Sequence, residues 1–155
     1  MQPDMIRGQS SIQKGNVLTL IVVKLGVVSI VAFTISVFVR SAVISRRLAL
    51  ESERFGLFLV ELTVRSASTV KPIVLSLYQG DVLVKIEGAQ PMTFIPVNGV
   101  TLGIRGANPE TPREMRHGRS CSPTTFLLKA AGTSLSCLAT LSLRCRVRII
   151  CAEEK

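Results

Sequence analysis

The stretch Asn16-Val-Leu-Thr-Leu-Ile-Val-Val-Lys-Leu-Gly-Val-Val-Ser-Ile-Val-Ala-Phe-Thr-Ile-Ser-Val-Phe-Val39 decides how the chain is read. Val17 to Val39 is 23 residues with one ionisable side chain, Lys24. As an α-helix rising about 1.5 Å per residue it would be roughly 34 Å long, enough to cross a hydrocarbon core of about 30 Å with some tilt. A single spanning segment must satisfy its own backbone hydrogen bonds, which leaves the helix as its form. A lysine at the centre of a span costs about 2.5–3.5 kcal/mol on the insertion scale. Lys24 stands in the first third, where its long stem can carry the ammonium to the nearer interface. Snorkelling is thus the simpler account of Lys24, ahead of a contact with an acidic partner helix.

Three other readings compete with an anchor. A cleaved signal peptide would suit Arg7 and Lys14 ahead of the segment, but the apolar part exceeds the usual length of about 7–15 residues and no Ala-x-Ala site follows. A water-soluble core helix normally keeps a polar face, and here only Thr, Ser and one Lys interrupt the apolar residues. The Val and Ile content would also suit two buried strands around Gly26. We rank the anchor first, the signal second and the strands third.

Working outward, the N-terminal flank carries Arg7 and Lys14, and the C-terminal flank carries Arg40, Arg46, Arg47 and Arg54. By the positive-inside rule this count puts the C-terminal body in the cytoplasm. Residues 40–55 read as a continuation of the helix, an amphipathic connector in which Glu51 follows Arg47 at ion-pair spacing. Such a stretch suits either an anionic membrane surface or a solvated stalk.

The pattern then changes period. Gly56 is expected to break the helix, and Leu57–Val64 is rich in strand formers. Ile73–Tyr78 and Val82–Glu87 flank Gln79-Gly80-Asp81 and read as a hairpin with a three-residue loop. Val82, Val84 and Ile86 fall on one face. Thr93–Val97 and Val100–Arg105 flank Asn98-Gly99, the preferred pair for a type I′ hairpin turn, with Val100, Leu102 and Ile104 on one face. Pro96 cannot donate to a ladder and marks an edge or kink. Such a meander needs a second layer, from the tail or from another subunit.

From Ala107 the chain is turn-rich, basic and weakly periodic. One reading makes it poorly ordered. Another gives a re-entrant or packed core segment between Lys129 and Arg144 and a last strand, Arg144–Cys151, with Arg144, Arg146 and Arg148 on one face. The expected organisation is a membrane-anchored α+β chain: 1–16 a polar segment, 17–39 a transmembrane helix, 40–55 the connector, 56–106 an antiparallel β-meander, and 107–155 a basic Cys-containing tail.

The totals agree with a chain that takes something apolar out of water. Of 155 residues 47% are hydrophobic and 19% charged, against about 25% charged in ordinary soluble domains, and the mean hydropathy is +0.42. Nineteen Lys and Arg against ten Asp and Glu give a net charge of +9. Nucleic acid and anionic lipid are the partners such a balance admits. With six Phe, one Tyr and no Trp, the chain is poorly equipped to stack single-stranded bases.

Residues for chemistry are few. Cys121, Cys137, Cys145 and Cys151 include no Cys-x-x-Cys pair. His117 with Cys121, Cys137 and Cys145 is a weak zinc set, since the spacing matches no strong template. On an oxidising side the four cysteines allow three disulfide connectivities; in the cytoplasm they would be buried or free thiols. His117 is the only histidine, and no Gly-x-Ser-x-Gly, Walker A or Gly-x-Gly-x-x-Gly motif occurs. The expectation is therefore a non-enzymatic, single-pass membrane protein with a structural, assembly or partner-binding role and no cofactor. Its partners would be the bilayer and another membrane protein or a second copy. A soluble basic nucleic-acid-binding module of a ribonucleoprotein assembly is the alternative.

Overall fold

The structure is a computed structural model that describes residues 7–106, 108, 111–116 and 120–153, with side chains described from residue 16 onward. The chain divides into two compact units, Met1–Arg40 and Ser41–Lys155. One long helix, α1 (Arg7–Ser68), precedes nine antiparallel strands among the described residues. The fold is α+β.

In the first unit the helix carries the long apolar segment. All sixteen of its Val, Leu, Ile and Phe side chains between Val17 and Val39 are exposed. The Thr34 hydroxyl donates back to the Ile30 carbonyl at 2.8 Å, so this polar group is satisfied within the helix.

The second unit is built on the rest of α1. Leu48, Ser52, Phe55, Leu59, Leu62 and Ser66 are buried, at steps of three, four and seven that place them on one helix face. Leu57, Val60 and Val64 lie on the other faces and are exposed. This corrects two expectations: Gly56 does not end the helix, and Leu57–Val64 is helical. Strand-forming composition is a weak guide, because it reports fit to a half-buried pleated surface, and here burial follows the helical period instead. Gly56 serves a different purpose. A Cβ there would run into the Ile149 side chain, so the missing side chain lets the last strand approach the helix. The connector is likewise no solvated stalk, since Leu48, Glu51, Ser52 and Phe55 face the core.

The strands are β1 (Ile73–Tyr78), β2 (Asp81–Ile86), β3 (Met92–Phe94), β4 (Val100–Ile104), β5 (Arg113–Arg116), β6 (Ser120–Cys121), β7 (Thr124–Ala130), β8 (Leu135–Leu141) and β9 (Val147–Glu153). They form a five-stranded sheet in the order β3-β2-β1-β5-β6 and a four-stranded sheet in the order β4-β7-β8-β9. The expected alternation holds: Val82 and Val84 are buried on the first sheet, Val100 and Leu102 on the second. The β1–β2 hairpin also forms, with Tyr78 opposite Asp81, so its loop is the two residues Gln79 and Gly80. Their φ values of 52° and 91° are the positive pair a type I′ turn requires.

The second expected hairpin does not form. β3 pairs with β2 and β4 pairs with β7, in different sheets. The Val100 N–H still donates to the Val97 carbonyl at 3.0 Å, but only Gly99 has positive φ. That is the pattern of a type II turn, which splays its flanking strands instead of pairing them. The chain uses it to pass from one sheet to the other.

Among its described residues the tail is ordered. It supplies β5 and β6 to the first sheet and three of the four strands of the second. It is therefore the second layer that the meander lacked. Its last strand begins at Val147, later than expected, because Ser142–Arg146 forms a turn with Cys145 at φ 57°. Arg144 and Arg146 thus lie outside the ladder.

Phe55 ties the layers together. Its ring meets Phe94 of the first sheet at 4.9 Å and Phe126 of the second at 5.1 Å, both edge-on. Edge-to-face pairs of this kind add about 0.5–1.5 kcal/mol beyond the area they bury.

Candidate functional site

The helix face that leaves the core at Leu48 turns Arg46 and Arg47 outward. Beside them the loop between β3 and β4 folds back against α1. Together Val43, Arg46, Arg47, Leu50 and Glu51 of the helix and Ile95–Asn98 of the loop line an open groove of about 1020 Å³. Pro96 has no N–H to donate, so the loop leaves the ladder here and its neighbours Ile95 and Val97 become the groove wall.

Glu51 holds the loop in place. Its side chain is 5% exposed, and its carboxylate receives Arg54 Nη1 at 2.9 Å and the Val97 backbone N–H at 3.2 Å. The expected Arg47–Glu51 pair is replaced by this i,i+3 pair to Arg54. The Arg54 guanidinium also lies over the Phe94 ring, 4.8 Å from its centroid. Arg47 is left on the surface next to Arg46.

The residues singled out from the sequence thus separate. Lys24 is exposed on the apolar segment, Arg40 follows it in the same unit, and Arg46 and Arg47 line the groove in the second unit. His117 lies outside the described residues. The other members of the proposed zinc set are committed elsewhere. Cys121 is bonded to Cys145 across 24 positions, and Cys137 to Cys151 across 14. Cα separations of 5.2 and 4.0 Å bring each pair together, and Cys137 stands directly opposite Cys151 in the β8–β9 ladder. A disulfide sulfur offers no thiolate to a metal. Among the described residues no three His, Cys, Asp or Glu side chains converge on one point.

Sequence reasoning missed the groove wall and the disulfide partners. The isolated apolar pair around Pro96 was the signal for the first; spacing alone could not choose among the connectivities for the second. No known protein-family model, curated protein or solved structure matches this chain.

Proposed function

We propose that the chain is a single-pass membrane protein whose β-rich body has a structural, assembly or partner-binding role. One observation carries this reading: the segment Val17–Val39 is helical, long enough to span, and bears sixteen exposed Val, Leu, Ile and Phe side chains. On the insertion scale sixteen Val, Leu, Ile and Phe residues contribute roughly 5–10 kcal/mol, which exceeds the cost of about 2.5–3.5 kcal/mol for Lys24. Left in water, the same side chains would form an apolar surface that soluble monomers do not keep.

For the side of the membrane, two arguments oppose each other. The flanking charges favour a cytoplasmic body, by four against two. The pairing of all four cysteines favours an oxidising compartment, where disulfides persist. We adopt the second, because a two-charge margin is readily overridden whereas two disulfides need an environment that maintains them.

The test is extraction of membranes holding the full chain with alkaline carbonate, then with detergent. Retention through carbonate and release by detergent is the expected result. Release by carbonate or high salt would overturn the anchor and bring back the basic nucleic-acid-binding module, whose affinity must fall steeply with salt. In sealed vesicles of known orientation, a membrane-impermeant thiol reagent applied before and after reduction reports the side of the body.

A further inference from the structure

The groove beside Arg46 and Arg47 carries an unmatched charge. Both arginines are exposed, and among the described residues neither is ion-paired to a carboxylate. The one carboxylate in the groove, Glu51, is already held by Arg54 and the Val97 N–H. Two free cations therefore stand beside the exposed apolar side chains of Val43, Leu50 and Ile95. A bare anion would use the cations and leave that apolar wall wet. A hydrocarbon chain would cover the wall and desolvate the guanidiniums without compensation. A molecule with a phosphate next to hydrocarbon satisfies both.

Position in the chain narrows the choice. Val43 follows Val39 by four residues, which reach at most about 14 Å even when fully extended. The groove mouth thus stays close to the headgroup layer wherever Val17–Val39 is inserted, whatever the arrangement of the two units. Guanidinium groups match phosphate oxygens in paired hydrogen bonds, which favours arginine for this contact.

We propose that this groove binds the headgroup of an anionic phospholipid, with Arg46 and Arg47 on the phosphate and the first methylenes of its acyl chains against Leu50 and Ile95. The proposal rests on the anchored reading above. Phosphatidylglycerol is preferred over phosphatidylcholine, because a choline ammonium would stand near the same two cations.

The test reconstitutes the full chain in nanodiscs of phosphatidylglycerol and phosphatidylcholine in equal amounts. After mild detergent extraction, the retained lipid is quantified by mass spectrometry. The wild-type chain is expected to retain phosphatidylglycerol selectively. The R46Q/R47Q double variant is expected to lose roughly thirtyfold of that preference, from about fivefold per arginine near a charged surface. Arg148→Gln, an exposed arginine outside the groove, is expected to keep it. Resistance of both disulfides to mild reductant, read by alkylating any thiols released, checks that each variant is folded. Unchanged selectivity in R46Q/R47Q, or an equal loss in Arg148→Gln, overturns the groove as a lipid site and leaves the anchor intact. A chain that never enters the discs overturns the anchor and the proposal together.

Discussion

The carboxylate of Glu51 accepts a hydrogen bond from the backbone N–H of Val97 at 3.2 Å, joining residues 46 positions apart. This contact fixes the β3–β4 loop to α1 and with it one wall of the groove. Replacing Glu51 by Ala removes the acceptor and leaves Arg54 without its partner. A stability loss of about 1–3 kcal/mol is expected, because a half-buried donor loses its bond. Glu51→Gln keeps an acceptor for Val97 and should lose less. Chemical denaturation of both variants in one detergent measures the difference, and equal losses would show that the backbone contact is not what matters.

A second expectation concerns Gly56, which lies under Ile149. Alanine at an exposed helix position gains up to about 1 kcal/mol over glycine. At Gly56 that gain is opposed, because the new Cβ displaces the end of the Ile149 side chain. Gly56→Leu cannot be absorbed by turning one methyl group, and overpacking of about 1–3 kcal/mol is expected. If the contact with β9 is the cause, Ile149→Ala in the same chain restores part of the loss. A double-mutant cycle on the denaturation midpoints reads this coupling, and additivity would sink the account.

The two disulfides provide the third expectation. Each native disulfide typically contributes about 2–4 kcal/mol, with more from the longer loop. C121S/C145S should therefore lower stability at least as much as C137S/C151S, since it opens the 24-residue separation against 14. Peptide mapping of the non-reduced protein checks the connectivity directly. Any cross-linked peptide joining Cys121 to Cys137 or Cys151 would contradict it.

Much of the architecture was legible because it rests on strong periodicities. The length and apolar character of Val17–Val39 favoured a helix, and the alternation at Val82, Val84 and Ile86 fixed the face of β2 before any partner was known. Leu57–Val64 was misread because its residue types suit a strand, while the deciding signal lay in a longer frame. Leu48, Phe55, Leu59, Leu62 and Ser66 keep one helical face across both sides of Gly56, and only the frame from 48 to 66 reveals it. Asn98-Gly99 misled for a subtler reason. The pair suits type I′, but with Asn98 at negative φ the same residues build a turn that parts the strands. The groove was hidden because half of it is a loop whose position depends on Glu51, a contact between distant residues that no local pattern encodes.

The Ser52 hydroxyl lies 3.5 Å from Cys151 Sγ, with 99 positions between them. Synthesis makes Ser52 early and Cys151 late, so the nascent chain carries Leu48, Phe55, Leu59 and Leu62 long before β9 exists to complete their cover. A body closed by such distant contacts folds slowly and exposes apolar surface meanwhile. The ribosome must therefore release the chain through β9 before the helix acquires its final neighbours, and the Cys137–Cys151 bond becomes the natural time stamp of that event. Trapping free thiols at successive chain lengths would read the moment of closure.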